Sequence, residues 1–162
     1  MIVYHGSDTI VEKPEIIISE IGRDFGFGFY TTDIYDQATR WARRKYIMSK
    51  KVDAKAIVNK YEFDMATAEK DLKVKIFTEP SLEWMDFVIA CRSDVLFEHE
   101  YDIVIGNIAD DNVGETISFV MAGVMRKEDA LDRLKFQQIN NQICFNTNMA
   151  LKYFKYIGYD PK

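Results

Sequence analysis

Two imidazoles, two thiols and the adjacent carboxylates of Asp110 and Asp111 are the side chains on which chemistry could rest, and their settings sort them. His5 ends the β-rich opening Ile2-Val3-Tyr4-His5 and is followed at once by Gly6-Ser7, a strand running into a turn. At such a strand end a histidine can serve a ligand with distinct donor and acceptor nitrogens, or it can bond locally to the backbone. His99 has no partners of metal-binding type at workable spacing, and neither has His5. A zinc site needs about four N, S or O ligands, so no metal is expected. Cys91 and Cys144 lie far apart, each inside an apolar stretch, which reads as two buried free thiols and no disulfide. Asp110 and Asp111 follow an apolar strand, where a loop can present carboxylates to a ligand. For Asp111 the alternative is the turn and N-cap of the helix beginning near Val113.

One further segment is unusual in type. Residues 22–30 set Gly22, Gly26 and Gly28 among aromatics and end on Tyr30, a pattern in which the main chain must pass close to something else. It is not the dinucleotide fingerprint. That motif runs from strand through G-x-G-x-x-G directly into a helix, whereas Gly26-Phe27-Gly28 leads into the β-like Phe29-Tyr30-Thr31.

The elements that would position these residues can be read from periodicity. Asp33 is expected to cap a helix whose Ile34, Ala38, Trp41, Ala42 and the stem of Lys45 share one face. Residues 56–63 and 72–77 read as strands, and Ser81 opens a helix with Trp84, Phe87, Val88 and Cys91 in an apolar stripe. Residues 101–108, with Ile103-Val104-Ile105, read as a central strand buried on both faces. Two helices are expected over 113–122 and 127–136, then a strand over 142–145. Thr147 is expected to cap a closing helix through Phe154, ended by Gly158. Trp41 and Trp84 are assigned to the core. Strands and helices intermingle without a regular βαβ rhythm, so the expected class is α+β in a single domain over 1–162.

Composition narrows the partners. The chain has 26 acidic against 21 basic side chains, a formal net charge of −5, and gains nothing overall from counterion release at a nucleic-acid backbone. Nucleic acid is therefore disfavoured. The cluster Arg40, Arg43, Arg44, Lys45, Lys50 and Lys51 is the local exception, and its alternative is a solvated face that favours the helix dipole. Met1 to His5 lack the basic start and long apolar core of a targeting segment, and no stretch approaches the ~20 apolar residues of a membrane span. The expected address is the cytoplasm.

Taken in order, Tyr4-His5-Gly6-Ser7, then Asp24-Phe25-Gly26-Phe27-Gly28-Phe29-Tyr30-Thr31-Thr32, then a helix carrying Ala38, resemble the ADP-ribosyltransferase superfamily. The resemblance is to its histidine-tyrosine-glutamate branch, which includes the diphtheria-toxin and poly-ADP-ribose polymerase types. The chain also looks like a member of an uncharacterised bacterial family assigned to that fold, through Tyr101-Asp102-Ile103-Val104-Ile105-Gly106 and Ala109-Asp110-Asp111. The resemblance spans nearly the whole chain and implies a split β-sheet core with flanking helices.

Residue by residue, it implies NAD as the substrate, with His5 hydrogen-bonded to the adenosine-side ribose and the Gly6 backbone paired with the nicotinamide carboxamide. Tyr30 would stack on the nicotinamide ring, while Ser7 and Gly28 belong to the same binding motifs. Arg23 would meet the pyrophosphate through its bidentate fork, or else lie on the surface as a solvated cation. The family's glutamate at the start of a late strand is replaced here by Gln142, with Gln137 and Gln138 as neighbouring alternatives. A carboxylate there accepts from the ribose 2′-OH and offsets an oxocarbenium-like centre, whereas Gln142 can only accept. Asp110 is the candidate for the missing carboxylate.

Three functions follow from the resemblance. The first is transfer of ADP-ribose from NAD to an unknown macromolecular acceptor, in the manner of bacterial toxins held by a small antitoxin protein. The second is a non-catalytic module that binds NAD or ADP-ribose. The third, RNA 2′-phosphotransfer, depends on additional basic residues with no match here.

Overall fold

In the computed structural model, residues 19–22, 95, 108–110 and 136–139 are left out of the description, as are the side chains of Asn107, Asp111 and Asn112. Among the described residues the order is β1 (Ile2–Ser7), β2 (Phe29–Thr31), α1 (Tyr35–Met48), β3 (Ile57–Phe63), α2 (Met65–Asp71), β4 (Val74–Ile76), α3 (Leu82–Ser93), β5 (Ile103–Asn107), α4 (Asp111–Met121), α5 (Lys127–Leu134), β6 (Asn141–Phe145), α6 (Asn148–Leu151) and β7 (Phe154–Pro161). The class is α+β, with two sheets.

One sheet has three strands in the order β1-β3-β7, the other four in the order β2-β6-β5-β4. All pairings are antiparallel except β4 with β5. The period of two along each strand builds the layers. In β6, Ile143 and Phe145 face the three-stranded sheet, where they pack with Val3, Phe29, Tyr61 and Phe63, while Cys144 faces away. That outer face is covered by α3, α4 and α5 through Trp84, Val88, Ile117 and Leu134. β5 divides the same way, Ile103 inward and Val104 outward, as a central strand buried on both sides must. The outer face of the three-stranded sheet is covered by α1, whose Ala38 and Ala42 meet Val58. The result is a helix, sheet, sheet, helix stack whose centre is the aromatic layer between the sheets. Among the described residues the sheets touch main chain to main chain at one isolated bridge, Tyr4 with Thr32.

Four expectations need correction. Asp33 does not cap α1: the N-cap is Ile34 with no side-chain bond, and the Asp33 carboxylate instead accepts from Asn141 Nδ2 at 2.9 Å. Trp41 is not core but 42% exposed. The helix lies so close on β1 that only Ala38 and Ala42 fit beneath it, and the indole is displaced to the flank under Arg44 and Lys45. Thr147 does cap α6 through Ala150 N–H, but that helix ends at Leu151 and the chain continues as β7. Gly158 therefore ends no helix. It sits at φ 129° inside β7, opposite the irregularity between Lys60 and Tyr61, where a bulge needs a residue free of Cβ restraint. The helix α2 was not anticipated. Asp64 caps it by accepting from Thr67 N–H at 3.1 Å.

Candidate functional site

β1 lies at the edge of its sheet, and which main-chain groups it leaves there follows from its hydrogen-bond phase. Phe63 N–H donates to Met1 C=O at 2.8 Å, so the odd residues of β1 turn their main-chain groups to β3. The even residues turn away. Tyr4 uses both of its groups on Thr32, at 2.8 and 2.9 Å, closing the bridge between the sheets. Gly6 is the next residue in the same phase, so its N–H and C=O also turn away from β3, in a residue that is itself buried. A side chain at Gly6 could not be accommodated, because an added Cβ would lie 2.7 Å from Ala42 N and 3.2 Å from Trp41 Cβ. The glycine is thus required by α1, whatever its main-chain groups bind.

His5 stands at the same junction. Its Nδ1 is 2.7 Å from the Tyr30 carbonyl oxygen, and its ring lies 4.4 Å from that of Phe29, centroid to centroid. A carbonyl only accepts, so Nδ1 carries the proton and Nε2 keeps a lone pair. Burial pushes the imidazole down to about 4, the Tyr30 carbonyl opposes this, and Lys45 and Arg23 reinforce it. At neutral pH His5 is a neutral acceptor of fixed tautomer.

Tyr30 belongs to β2 and faces outward with its β6 partner Cys144. Its hydroxyl donates to Gly26 C=O and accepts from Phe25 N–H at 3.2 Å, while Arg23 lies over the ring with Cζ 5.5 Å from its centroid. Burial, followed by Cys144, raises its pKa far above the ordinary range, so the phenol stays neutral. Tyr30 therefore clamps the glycine loop. Other groups clamp the same loop. Asn146 Nδ2 donates to the carbonyls of Phe25 and Phe27, each at 2.8 Å, and Arg92 pairs with Asp24 at 2.5 Å. His99 donates through Nε2 to Phe25 C=O at 3.1 Å and accepts at Nδ1 from Tyr101 N–H at 3.2 Å, which makes it structural.

Gln142 lies two residues from Cys144 on β6, opposite Gly106, and so shares a face with Tyr30. Its Oε1 is buried with no hydrogen-bond partner among the described residues. A buried acceptor left unsatisfied costs about 1–3 kcal/mol, which a donating ligand would recover. The strand start is held by Gln37, whose Nε2 donates to Asn141 C=O at 2.8 Å and whose Oε1 accepts from Asn141 N–H at 3.2 Å. Gln37 is a positioning residue that no local pattern singles out, since its partner is 104 residues away.

The structure therefore brings His5, Gly6, Tyr30 and Arg23 to one junction and puts Gln142 on the face of Tyr30. Ser7 is occupied locally, its Oγ accepting from Thr9 N–H at 3.4 Å. Gly28 makes its close approach to protein: an added Cβ would lie 2.5 Å from Cys144 Sγ and 2.7 Å from Phe145 O. Asp110, Gln137 and Gln138 lie outside the described residues. Cys91 and Cys144 are buried free thiols, and burial pushes Cys91 up to about 12 and Cys144 higher still. Among the described residues no group of His, Cys, Asp and Glu is arranged to hold a metal ion, and no helix is long and apolar enough to cross a membrane.

Comparison with curated proteins found no match, and comparison with solved structures found none either. Residues 1–156 match the family model described as a protein of unknown function (DUF3990), and because the match takes in nearly the whole chain, the protein belongs to that family.

Proposed function

We propose that this chain is an NAD-dependent ADP-ribosyltransferase-like protein with a split-sheet core, binding NAD where the sheets part. The observation that carries the reading is the Gly6 main chain turned away from β3, beside a His5 ring held by the main chain of Tyr30. A carboxamide offers one donor and one acceptor, the complement of one residue's N–H and C=O. His5 Nε2 accepts from a ribose hydroxyl, and the Tyr30 face is suited to a flat cationic ring. Gln142 Oε1 accepts from the 2′-OH of the nicotinamide ribose. It positions that ribose without the negative charge that would offset an oxocarbenium-like centre. Cleavage is accordingly slow, with ADP-ribose passing to a macromolecular acceptor or to water. The product of a neighbouring reading frame is the candidate antitoxin partner.

The neutral amide of Gln142 favours one other reading, a module that binds NAD or ADP-ribose and does not cleave it. Two measurements decide. Calorimetry is expected to show NAD binding between micromolar and millimolar, about −4 to −8 kcal/mol, and no binding by a folded protein rejects the reading. Nicotinamide release, followed by chromatography, is expected to rise up to about a hundredfold in Gln142→Glu and to fall in Gln142→Ala. Binding with no release from any of the three supports the module. Equal, measurable release from all three removes Gln142 from the reacting centre.

A further inference from the structure

We infer that the outer face of α1 and the turn after it dock on an anionic phospholipid surface, lying on the bilayer without crossing it. Charge is spread unevenly along the chain. Residues 37–52 hold six basic side chains, Arg40, Arg43, Arg44, Lys45, Lys50 and Lys51, and all 26 acidic side chains lie outside that stretch.

The helix gathers much of this charge on one side. Ala38 and Ala42 are buried with Val58 of the three-stranded sheet, so the opposite side of α1 carries Arg40, Arg43, Arg44 and Ile47, spaced three and four residues apart. All four are exposed. Apolar side chains project from the C-terminal end of the same surface: Ile47 is 79% exposed, Met48 68%, and Val52 fully. Single exposed hydrophobes are ordinary, but three within six residues, flanked by cations, mark an interaction site. Val52 sits on a turn that Ala54 N–H closes by donating to Lys51 C=O at 3.4 Å. The turn is held in place by Asp8, which accepts from Ser49 Oγ at 2.6 Å and pairs with Lys51 at 3.1 Å. Asp8 offsets Lys51, and Asp53 adds one carboxylate beside Val52. Arg43, one turn before Ile47, and Lys50, two residues before Val52, make no ion pair among the described residues.

Shape and chemistry select the partner. Side chains this exposed form a convex tip, which a protein partner could bury only in a matching pocket. The interfacial layer of a bilayer closes around a protruding Ile or Val without shape matching, while long cationic side chains keep their heads among the lipid phosphates. Nucleic acid would use the cations and leave Ile47, Met48 and Val52 without a role. The acidic remainder of the chain is repelled by the same surface, which sets the orientation with α1 against the lipid.

The test floats the full chain with vesicles of phosphatidylcholine alone and of phosphatidylcholine mixed with phosphatidylserine. Binding is expected to the mixed vesicles only, weakening as salt is raised. Arg43→Gln and Lys50→Gln are each expected to lower partitioning about fivefold, and Ile47→Ser and Val52→Ser about tenfold. Lys127→Gln removes the same charge from α5 and is expected to change nothing. All these side chains are exposed, so the variants are expected to fold, which thermal unfolding confirms. No binding to the mixed vesicles, or binding unchanged in all four α1 and turn variants, overturns the proposal. Loss confined to the two cation variants overturns it as well, and so does calorimetric uptake of soluble poly-glutamate that matches the vesicles in affinity. Either result marks a site for an acidic protein.

Discussion

At the scale of single residues, His5 couples the candidate site to stability through its proton. Its ordinary value is 6.5 and the folded value about 4, so the unfolded chain binds the proton more tightly across that window. Stability from His5 is complete above pH 6.5 and is lost as pH falls through 4. The gap amounts to roughly 3 kcal/mol, of which about 2 kcal/mol is gone by pH 5. His99 is shifted in the same direction, first by burial, and adds to the same slope. Urea midpoints of the wild-type chain are therefore expected to drop between pH 7 and pH 5, and the drop should shrink in His5→Gln. Parallel pH profiles for the two proteins would show that His5 is not desolvated. The same neutral, Nδ1-protonated imidazole supplies the acceptor nitrogen that the proposed ribose contact requires.

At the scale of elements, the decisive contact is the crossing of α1 over β1. Ala38 and Ala42 lie over Gly6, with no room for a methyl group between the helix backbone and the strand. Gly6→Ala must push backbone against backbone, and overpacking of this kind costs about 3 kcal/mol. Denaturant unfolding is expected to register that loss with or without NAD. A Gly6→Ala chain as stable as the wild type would mean that α1 does not approach β1 here. The same closeness explains Trp41, which the helical period set on the face of Ala38 and Ala42 but which is too large for the gap. It lies instead under Arg44 and Lys45.

At the scale of the whole molecule, the aromatic layer belongs to both sheets. Val3, Tyr61 and Phe63 of the three-stranded sheet interlock there with Phe29, Ile103, Ile143 and Phe145 of the four-stranded one. Tyr35 on α1 donates to Asp160 on β7 at 2.6 Å, tying that helix to the far edge of its sheet. That layer exists only when both sheets are in place, so the chain is expected to unfold in one transition. The two tryptophans report on different layers, Trp84 on α3 fully buried and Trp41 on α1 exposed. Fluorescence of a Trp41→Phe chain, of a Trp84→Phe chain and the far-ultraviolet signal should give coincident midpoints. Separate midpoints would mean that the α1 layer unfolds on its own.

What the sequence determined by itself is local. The Ser81 cap, the alternation of β3, the unbroken apolar run of β5 and the two buried thiols all depend on neighbours a few residues away, and all are found in the structure. The candidate residues His5, Gly6, Arg23 and Tyr30 were also legible, because their order along the chain carried the signal. Only the tertiary structure decided what those residues face. Asp33 was drawn from the helix end by Asn141, 108 residues away, and Gln37 was recruited to the start of β6 from a similar distance. The segment after α6 became a strand because β3 offers it an open edge and the aromatic layer takes Phe154 and Tyr156, which outweighs its local helical pattern. Gly28 looked free to approach a ligand and instead meets Cys144, because strand pairing, which no local spacing encodes, laid β6 beside it.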